Sequence, residues 1–382
     1  MKMRSLGRTD VAIVGAGIMG LAHAVHAVRA GLSVTVFERH PSANGASVRN
    51  FGMLAVIAQA TGTELDDALR ALDCWQDIAR HAGIKLEQSG CLFLAREPEE
   101  MSVLEEFAQS ASISGHSAEI VTPDELDRYA PALRADLALG GLWSRDAWKV
   151  DQRQAIAKIA DWLEVDCGVT FYFSTEVQAI SAPRIETTLG TLEAEQIILC
   201  GGDEFETLYP EAFRETKITR CQLQMLRTRP QPSNWRLGPF ILGGLSMTRY
   251  RVFADCPSLS ALVERQKKSQ SEHLNHGIHV IACQESDGSI TIGDSHAYGE
   301  AIPLDQSEEI DRLILKELAE MISLPEQQIA ERWLGHYAHL PGCEKLVMPI
   351  SDSVTAVTMT NGQGMTHAFA VAEAVIRNFT TH

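Results

Sequence analysis

The chain has 382 residues, 45% of them hydrophobic and 22% charged, which is material for two ordinary domains and excludes a disordered or fibrous protein. A formal charge of -17 opposes binding to a nucleic-acid backbone, so an anionic ligand would need a local basic pocket. The eight cysteines, Cys74, Cys91, Cys167, Cys200, Cys221, Cys256, Cys283 and Cys343, include no C-x-x-C pair, so they read as reduced thiols and no metal is expected.

Val11 to Val14 reads as a strand, Gly15 to Gly20 as a turn, Leu21 to Ala30 as a helix ended by Gly31, and Ser33 to Glu38 as a second strand. This is a complete βαβ unit. The run from Val11 to Val28, behind Lys2, Arg4 and Arg8, imitates a signal peptide, but three glycines, His23 and His26 interrupt it and it reads as a fold element. No other run is long enough to cross a membrane, so a cytoplasmic protein is expected. Apolar residues recur at helical spacing from Leu65 to His81, and Ile84 to Ala95 is strand material interrupted at Gly90. Thr122-Pro123-Asp124-Glu125 is a capping box opening a short helix that stops near Pro131, and Asp151 with Gln154 opens another through Leu163. Strands are expected at Val169 to Phe173, Val177 to Ile180 and Gln196 to Cys200.

From Ile218 the texture turns β-like, with runs at Phe240 to Leu245, His279 to Cys283 and Ile290 to Gly293, the last two joined by a turn at Ser286-Asp287-Gly288. Asp305 to Glu308 caps a helix to Met321, and Ser323 with Glu326 is expected to cap the next. Thr355 to Met359 is a β-branched strand, Thr360 to Met365 a glycine turn and Thr366 to Ile376 an apolar helix. With α/β texture at both ends and β-rich material between, the domains are expected to interleave along the chain.

The strongest chemical signal is the strand, turn and helix around Gly15, Gly17 and Gly20. Gly15 permits the tight turn, Gly17 lets backbone amides approach a pyrophosphate at the helix N-terminus, and Gly20 lets helix and strand pack closely. Glu38 ends the second strand where an acid accepts hydrogen bonds from a ribose 2′-OH. Together they indicate a bound dinucleotide, with NAD and FAD both open on this fingerprint alone.

Three further stretches narrow the choice: Ser47-Val48-Arg49-Asn50-Phe51-Gly52-Met53, Ile197-Ile198-Leu199-Cys200-Gly201-Gly202 and Thr360-Asn361-Gly362-Gln363-Gly364-Met365-Thr366. With these the chain resembles, over essentially its whole length, the D-amino-acid oxidase superfamily of flavoproteins, which includes glycine oxidase and sarcosine oxidase. The resemblance implies an α/β plus α+β fold in which a discontinuous Rossmann-like FAD-binding domain (residues 1–84, 147–215 and 340–382) interleaves with a substrate domain on a mostly antiparallel sheet (85–146 and 216–339). It implies that Gly15, Gly17, Ile18, Met19, Gly20, Glu38 and Arg39 hold the ADP moiety of FAD and that Val177 lies beside the adenine. Ser47, Arg49 and Asn50 would approach the flavin, Gly201 and Gly202 would border the cofactor, and Gly362, Gln363, Gly364, Met365 and Thr366 would meet the isoalloxazine. A helix N-terminus there can stabilise the charge of the reduced ring. Sarcosine-oxidase-like members attach flavin to a cysteine in this region, but Cys343 does not fall on the matching position, so noncovalent FAD is expected.

The implied reaction is oxidation of a C–N bond: a neutral amine passes hydride from its α-carbon to flavin N5, the imine hydrolyses, and molecular oxygen is reduced to hydrogen peroxide. No side-chain base is obligatory. His336, Tyr337 and His339 are the candidate catalytic residues, with His367 also expected near the ring, and Arg49, Arg249, Arg251 and His296 are candidates for holding the substrate. Arg249 and Arg251 have a solvated strand face as their simpler reading, and Trp143, Trp148 and Trp333 read as core aromatics. Amino-acid oxidases of the superfamily carry, after a Trp-x-Gly element, an arginine that grips the substrate carboxylate. Here Trp333-Leu334-Gly335-His336-Tyr337-Ala338-His339 lacks it. The sequence most resembles a subgroup associated with aminophosphonate breakdown, which implies 2-aminoethylphosphonate or its N-methyl derivative as substrate, giving phosphonoacetaldehyde with ammonia or methylamine. Glycine- or sarcosine-type amino acids remain an alternative, as do an FAD-dependent dehydrogenase with another electron acceptor and a non-catalytic flavoprotein. An NAD-dependent dehydrogenase would share only the first motif. The expected partners are the small amine and oxygen, without nucleic acid or membrane.

Overall fold

In the computed structural model, which describes residues 4–380, the apolar run Val11 to Ile13 is buried on both faces because it occupies the middle of a parallel sheet. Its strand, Ser5–Val14, pairs in parallel with Val34–Phe37 on one side and Thr191–Leu199 on the other. Thr170–Tyr172 extends the sheet beyond Val34–Phe37, and Val354–Met359 extends it beyond Thr191–Leu199, again in parallel. Val177–Ser181, Arg184–Thr187 and Lys345–Ser351 add antiparallel strands to complete eight. The helices Ile18–Arg29, Thr63–His81, Gln152–Val165 and Gly364–Thr380 pack into one apolar layer, with Trp75 and Phe369 meeting edge to face at its centre.

A second sheet of nine strands draws on residues 91–144 and 219–339. Its pairings are antiparallel except that of Phe240–Leu242 with Cys91–Ala95. Cys91–Ala95 is buried on both faces: Leu92 and Leu94 pack with the helix Glu308–Met321, while Phe93 packs with the helix Pro98–Ala111 on the other side. A three-stranded sheet of Met53–Ala55, Ala147–Val150 and Leu86–Glu87 lies between the two in sequence. Residues 1–3 and 381–382 of the expected FAD-binding segments, Lys2 included, lie outside the described residues.

Three local expectations need correction. Ser323 and Glu326 cap no helix; an irregular stretch leads directly into the strand Ile329–His339, which runs along Thr219–Thr228. The Gln231 side chain explains this, accepting from the Glu326 amide and donating to its carbonyl, so the backbone groups a helix would need are already engaged. The run Phe240 to Leu245 stops as a strand at Leu242, and Gly244–Met247 forms a helical turn against Glu100, where a side chain at Gly244 would have no room. The β-like region also contains two helices, Leu259–Ser269 and Ser271–Asn275, the first presenting Leu262 and Gln266 inward at helical spacing.

The helical layer carries an acid sensitivity. Burial pushes His23 and His26 of the first helix, and His367 of the last, down to about 4. Each ring takes a proton near pH 6.5 in the unfolded chain but only near 4 in the fold, so their stabilisation is complete above 6.5 and is lost as pH falls toward 4. Three such protons make the steepest slope on the order of 4 kcal/mol per pH unit. Denaturant midpoints should fall sharply between pH 6.5 and 4.5, and His367→Gln should flatten the fall. A constant midpoint over that range would contradict the assignment.

Candidate active site

The carboxyl ends of the parallel strands, at Val14, Phe37, Leu199 and Met359, face the second sheet across a cavity of about 730 Å³. This is where an open parallel sheet characteristically receives a ligand. At one end, Gly15 adopts φ +105°, and a Cβ there would lie 2.4 Å from the Cys200 carbonyl oxygen. A Cβ on Gly20 would sit 1.9 Å from the Gly15 carbonyl oxygen, so Gly20 serves the helix–strand contact and is the one glycine of the motif that does not line the cavity. Gly17 caps the helix without a side-chain cap, and the Ile18 amide donates to Ser47 Oγ at 2.9 Å. The remaining amides of the first helical turn open toward the cavity beside Gly17, Ile18 and Met19. Glu38 is buried there, its Oε2 accepting from the Ala16 amide and its Oε1 from the His40 amide, which fixes the carboxylate's direction. Val177, Gly201 and Gly202 line the same end. Arg39 lies at its margin, ion-paired with Glu204 at 3.0 Å. A glycine cradle, a helix N-terminus and a held carboxylate fit an ADP moiety.

The other end is closed by the loop before the last helix. Gly362 has φ +79°, and a Cβ there would press on the Tyr337 ring at 3.1 Å. Gln363 Oε1 is buried with no hydrogen-bond partner among the described residues, an acceptor awaiting a donor from a ligand. Gly364, Met365 and Thr366 also line the cavity, with the Met365 carbonyl tied to the Trp75 indole and Thr366 Oγ1 to the Ala55 amide. Arg49 donates to the Leu334 carbonyl and to Asn44, while the Asn50 amide donates to Ala46 and Ser47 and so braces its own loop. His367 does not reach the cavity: its Nε2 lies 2.8 Å from Gln59 Oε1 inside the helical layer, correcting its expected position near the ring.

Beyond that loop, Arg249 lies in the turn after Gly244–Met247 rather than on a strand face, and it lines the cavity. Its two terminal nitrogens donate to Tyr298 Oη at 3.0 Å and Tyr337 Oη at 3.3 Å, and no carboxylate among the described residues forms an ion pair with it. Burial works against its charge, but Tyr337, Tyr298 and Asp294 outweigh that and hold the guanidinium above its ordinary value. Arg251, in contrast, is exposed and engaged at 2.6 Å by both Glu64 and Glu344. Tyr337 and His339 share one face of the strand Ile329–His339, and His339 packs against Tyr298 with ring centroids 4.3 Å apart. His336 alternates to the other side and meets Gln222 Nε2 at 3.2 Å.

The sequence reading missed a buried group beside Arg249. Asp294 and His279 exchange backbone hydrogen bonds in both directions, so their side chains stand opposite one another on the same face. His279 Nε2 is 3.2 Å from Asp294 Oδ1 but off the line of a good hydrogen bond, and that oxygen has no aligned partner among the described residues. His279 Nδ1 meets Ser246 Oγ at 3.1 Å, and His296 donates from Nδ1 to the Gly277 carbonyl. Burial holds both imidazoles well below the ordinary histidine range and pushes Asp294 up to about 7, against the pull of Arg249. The His279 signal was present in the sequence as a histidine opening a strand; its pairing with Asp294 depends on hairpin register.

A Rossmann-like sheet with a glycine cradle, joined to a largely antiparallel sheet that supplies the polar end of one cavity, defines a two-part flavoprotein fold. Residues 10–377 match the model of the DAO family, FAD dependent oxidoreductase, and the chain belongs to that family. FAD is its cofactor. Over 137 residues the chain is 31% identical to one of the subunits of anaerobic glycerol-3-phosphate dehydrogenase from Escherichia coli (strain K12), covering 36% of this chain and 25% of that protein. Over 215 residues it is 27% identical to N-methyl-L-tryptophan oxidase of Escherichia coli O157:H7, covering 53% and 56% respectively. The chain thus spans from a quarter to about half the length of these curated relatives. Among solved structures, L-proline dehydrogenase from P. horikoshii superposes with a TM-score of 0.76 over 100% of this chain and 94% of that one, at 19% identity, a likeness of fold. No helix among the described residues is long and apolar enough to cross a membrane.

Proposed function

We propose that the chain oxidises the C–N bond of a small amine bearing an anionic group, and that the substrate is an aminophosphonate, 2-aminoethylphosphonate or its N-methyl derivative. The products would be phosphonoacetaldehyde, ammonia or methylamine, and hydrogen peroxide. The observation that carries this reading is Arg249: a cation lining the cavity, braced by two tyrosine hydroxyls and, among the described residues, without an ion-paired carboxylate. A phosphonate offers three acceptor oxygens, and Arg249, Tyr298, Tyr337 and His339 gather donors on one side of the cavity in numbers that suit it. The relative named for glycerol-3-phosphate also takes a substrate with a phosphorus oxyanion.

In this reading residues 1–84, 147–215 and 340–382 form the FAD-binding domain and residues 85–146 and 216–339 the substrate domain. Gly15, Gly17, Ile18, Met19, Glu38, Arg39 and Val177 would hold the ADP end of a noncovalent FAD. Ser47, Arg49, Asn50, Gly201, Gly202 and the Gly362 to Thr366 loop would surround the rest. When bound, FAD supplies the two-electron acceptor for hydride from the carbon beside nitrogen and passes the electrons to oxygen. The protein's share is to fix that carbon, exclude water and anchor the distant anion, so that binding energy is spent on orientation.

A second reading, an oxidase of glycine- or sarcosine-type amino acids, draws support from the relative named for N-methyl-L-tryptophan, since Arg249 would grip a carboxylate as well. Turnover of N-methyl-2-aminoethylphosphonate should exceed that of sarcosine, glycine and D-alanine; a clear preference for any of the carboxylates overturns the phosphonate assignment. The yellow protein should bleach on anaerobic addition of the amine and recover in air. Bleaching without recovery would identify a dehydrogenase.

A further inference from the structure

Arg249 and Asp294 carry opposite charge, line the same cavity and feel one another electrostatically, yet they form no ion pair. Among the described residues, neither has an aligned counter-ion. Arg249 has only tyrosine hydroxyls, and Asp294 Oδ1 has two histidine nitrogens at 3.2 and 3.7 Å, neither aligned to donate. Leaving a buried carboxylate oxygen unsatisfied is costly, and a donor from a ligand relieves that cost. A guanidinium and a carboxylate lining one cavity are together complementary to a zwitterion.

We propose that Asp294 receives the ammonium end of the substrate while Arg249 holds its anion, and that Asp294 is the catalytic base that takes the ammonium proton. This rests on the amine-oxidising function proposed above. One N–H bond of R–CH2–NH3+ breaks, its proton forms an O–H bond on Asp294, and the nitrogen keeps the electron pair. That pair forms the C=N bond as the C–H bond of the neighbouring carbon breaks and its hydride passes to the FAD that the proposed function supplies as acceptor, and the resulting iminium hydrolyses outside the step. His279, with Ser246 behind it, is a positioning residue that stands against the carboxylate.

Of Asp294 and the groups facing it, Asp294 is the one that changes charge near neutrality; Glu344, which burial also pushes up to about 7, lines the same cavity but is engaged by Arg251. Facing Asp294 are Arg249, His279, His296, Tyr250 and Cys221, with Tyr298, Tyr337 and His339 around the guanidinium. Burial drives the histidines down and the tyrosines and the thiol up, so they stay neutral, and Arg249 stays charged. Asp294 itself, pushed up to about 7, is a far better match to an amine proton than an ordinary carboxylate.

The test is the pH profile of kcat/KM for N-methyl-2-aminoethylphosphonate in FAD-loaded wild type and Asp294→Asn. Wild type should rise to a plateau as Asp294 ionises near pH 7. In Asp294→Asn the value at pH 7 should drop about 100-fold and climb tenfold per pH unit toward the pKa of the amine itself, because only the free amine then reacts. A profile parallel to wild type overturns the proposal, as does a stoichiometric metal ion in the purified protein, which would make His279, Asp294 and His296 something other than a base. Asp294→Glu, which keeps a carboxylate, should retain the acid limb with a displaced midpoint; if Asp294→Asn fails to hold FAD, an unmoved limb in Asp294→Glu overturns the proposal instead. Binding read from the flavin absorbance separates this from the function: wild type should prefer 2-aminoethylphosphonate to ethylphosphonate, and Asp294→Asn should bind the two alike. If that contrast appears while no amine is oxidised, the activity fails and the ammonium site stands. If amines are oxidised and the contrast is absent, Asp294 fails alone.

Discussion

Arg249→Leu is expected to lower kcat/KM for an anionic amine by about a thousandfold, or ~4 kcal/mol, with the FAD content and visible spectrum unchanged. The size follows from what the guanidinium touches. Its two terminal nitrogens are held by Tyr298 and Tyr337, so it is already oriented and spends little entropy on meeting an anion. Removing it leaves those hydroxyls and the substrate's charge without their partner. Arg249→Lys keeps the charge but loses the planar fork, and should fall between the wild type and Arg249→Leu. Neutral amines should respond weakly to either change. Steady-state kinetics on paired neutral and anionic amines decide the point, and equal losses on both would remove Arg249 from anion recognition.

The second large effect concerns the cofactor. Gly17→Glu should yield a folded protein that purifies colourless. The new Cβ would lie 3.0 Å from Ser47 Oγ, the group that already accepts the Ile18 amide. The carboxylate beyond it would fill the helix N-terminus, where the amides and the helix dipole welcome negative charge. The fold therefore tolerates the substitution, while the pyrophosphate of FAD meets repulsion and finds its donors taken. Gly20→Val tests a different failure: its Cβ would overlap the Gly15 carbonyl, a backbone atom that cannot turn aside, so helix and strand would separate and the protein itself should be lost. The ratio of flavin to protein absorbance after gel filtration distinguishes them. A normal flavin spectrum from Gly17→Glu would sink the cradle assignment.

How far the sequence could be read depended on the range of the interactions involved. The βαβ unit, the cap at Asp151 and the final glycine turn and helix are set by neighbours within a few residues, and all appear where the pattern places them. The capping signal at Ser323 and Glu326 was equally local but lost to Gln231, nearly a hundred residues away in sequence. The helix Pro98–Ala111 opens on a capping box of Glu97 and Glu100, in which a glutamate stands where the sequence signature has Ser or Thr. In the site, glycine positions were legible because each answers a backbone requirement. Arg249 and Arg251 were not separable by sequence, since what divides them is which carboxylates pair with them across the fold: two for Arg251 and, among the described residues, none within ion-pair distance for Arg249.

The strand Thr191–Leu199 joins Ser5–Val14 along one edge and receives Val354–Met359 on the other, so the parallel sheet draws on the first, middle and last parts of the chain. On the ribosome, the opening βαβ unit must therefore wait through most of translation before its sheet can be completed and the last helix can cover it. The helical layer stays without Phe369 and its neighbours until then, leaving apolar surface around Trp75 uncovered. Pairings this distant in sequence form slowly and expose sticky intermediates. Newly made chains should consequently depend on chaperones until the helix Gly364–Thr380 has emerged, and variants that weaken that helix should reduce yield of soluble protein more than they reduce the stability of molecules that have already folded.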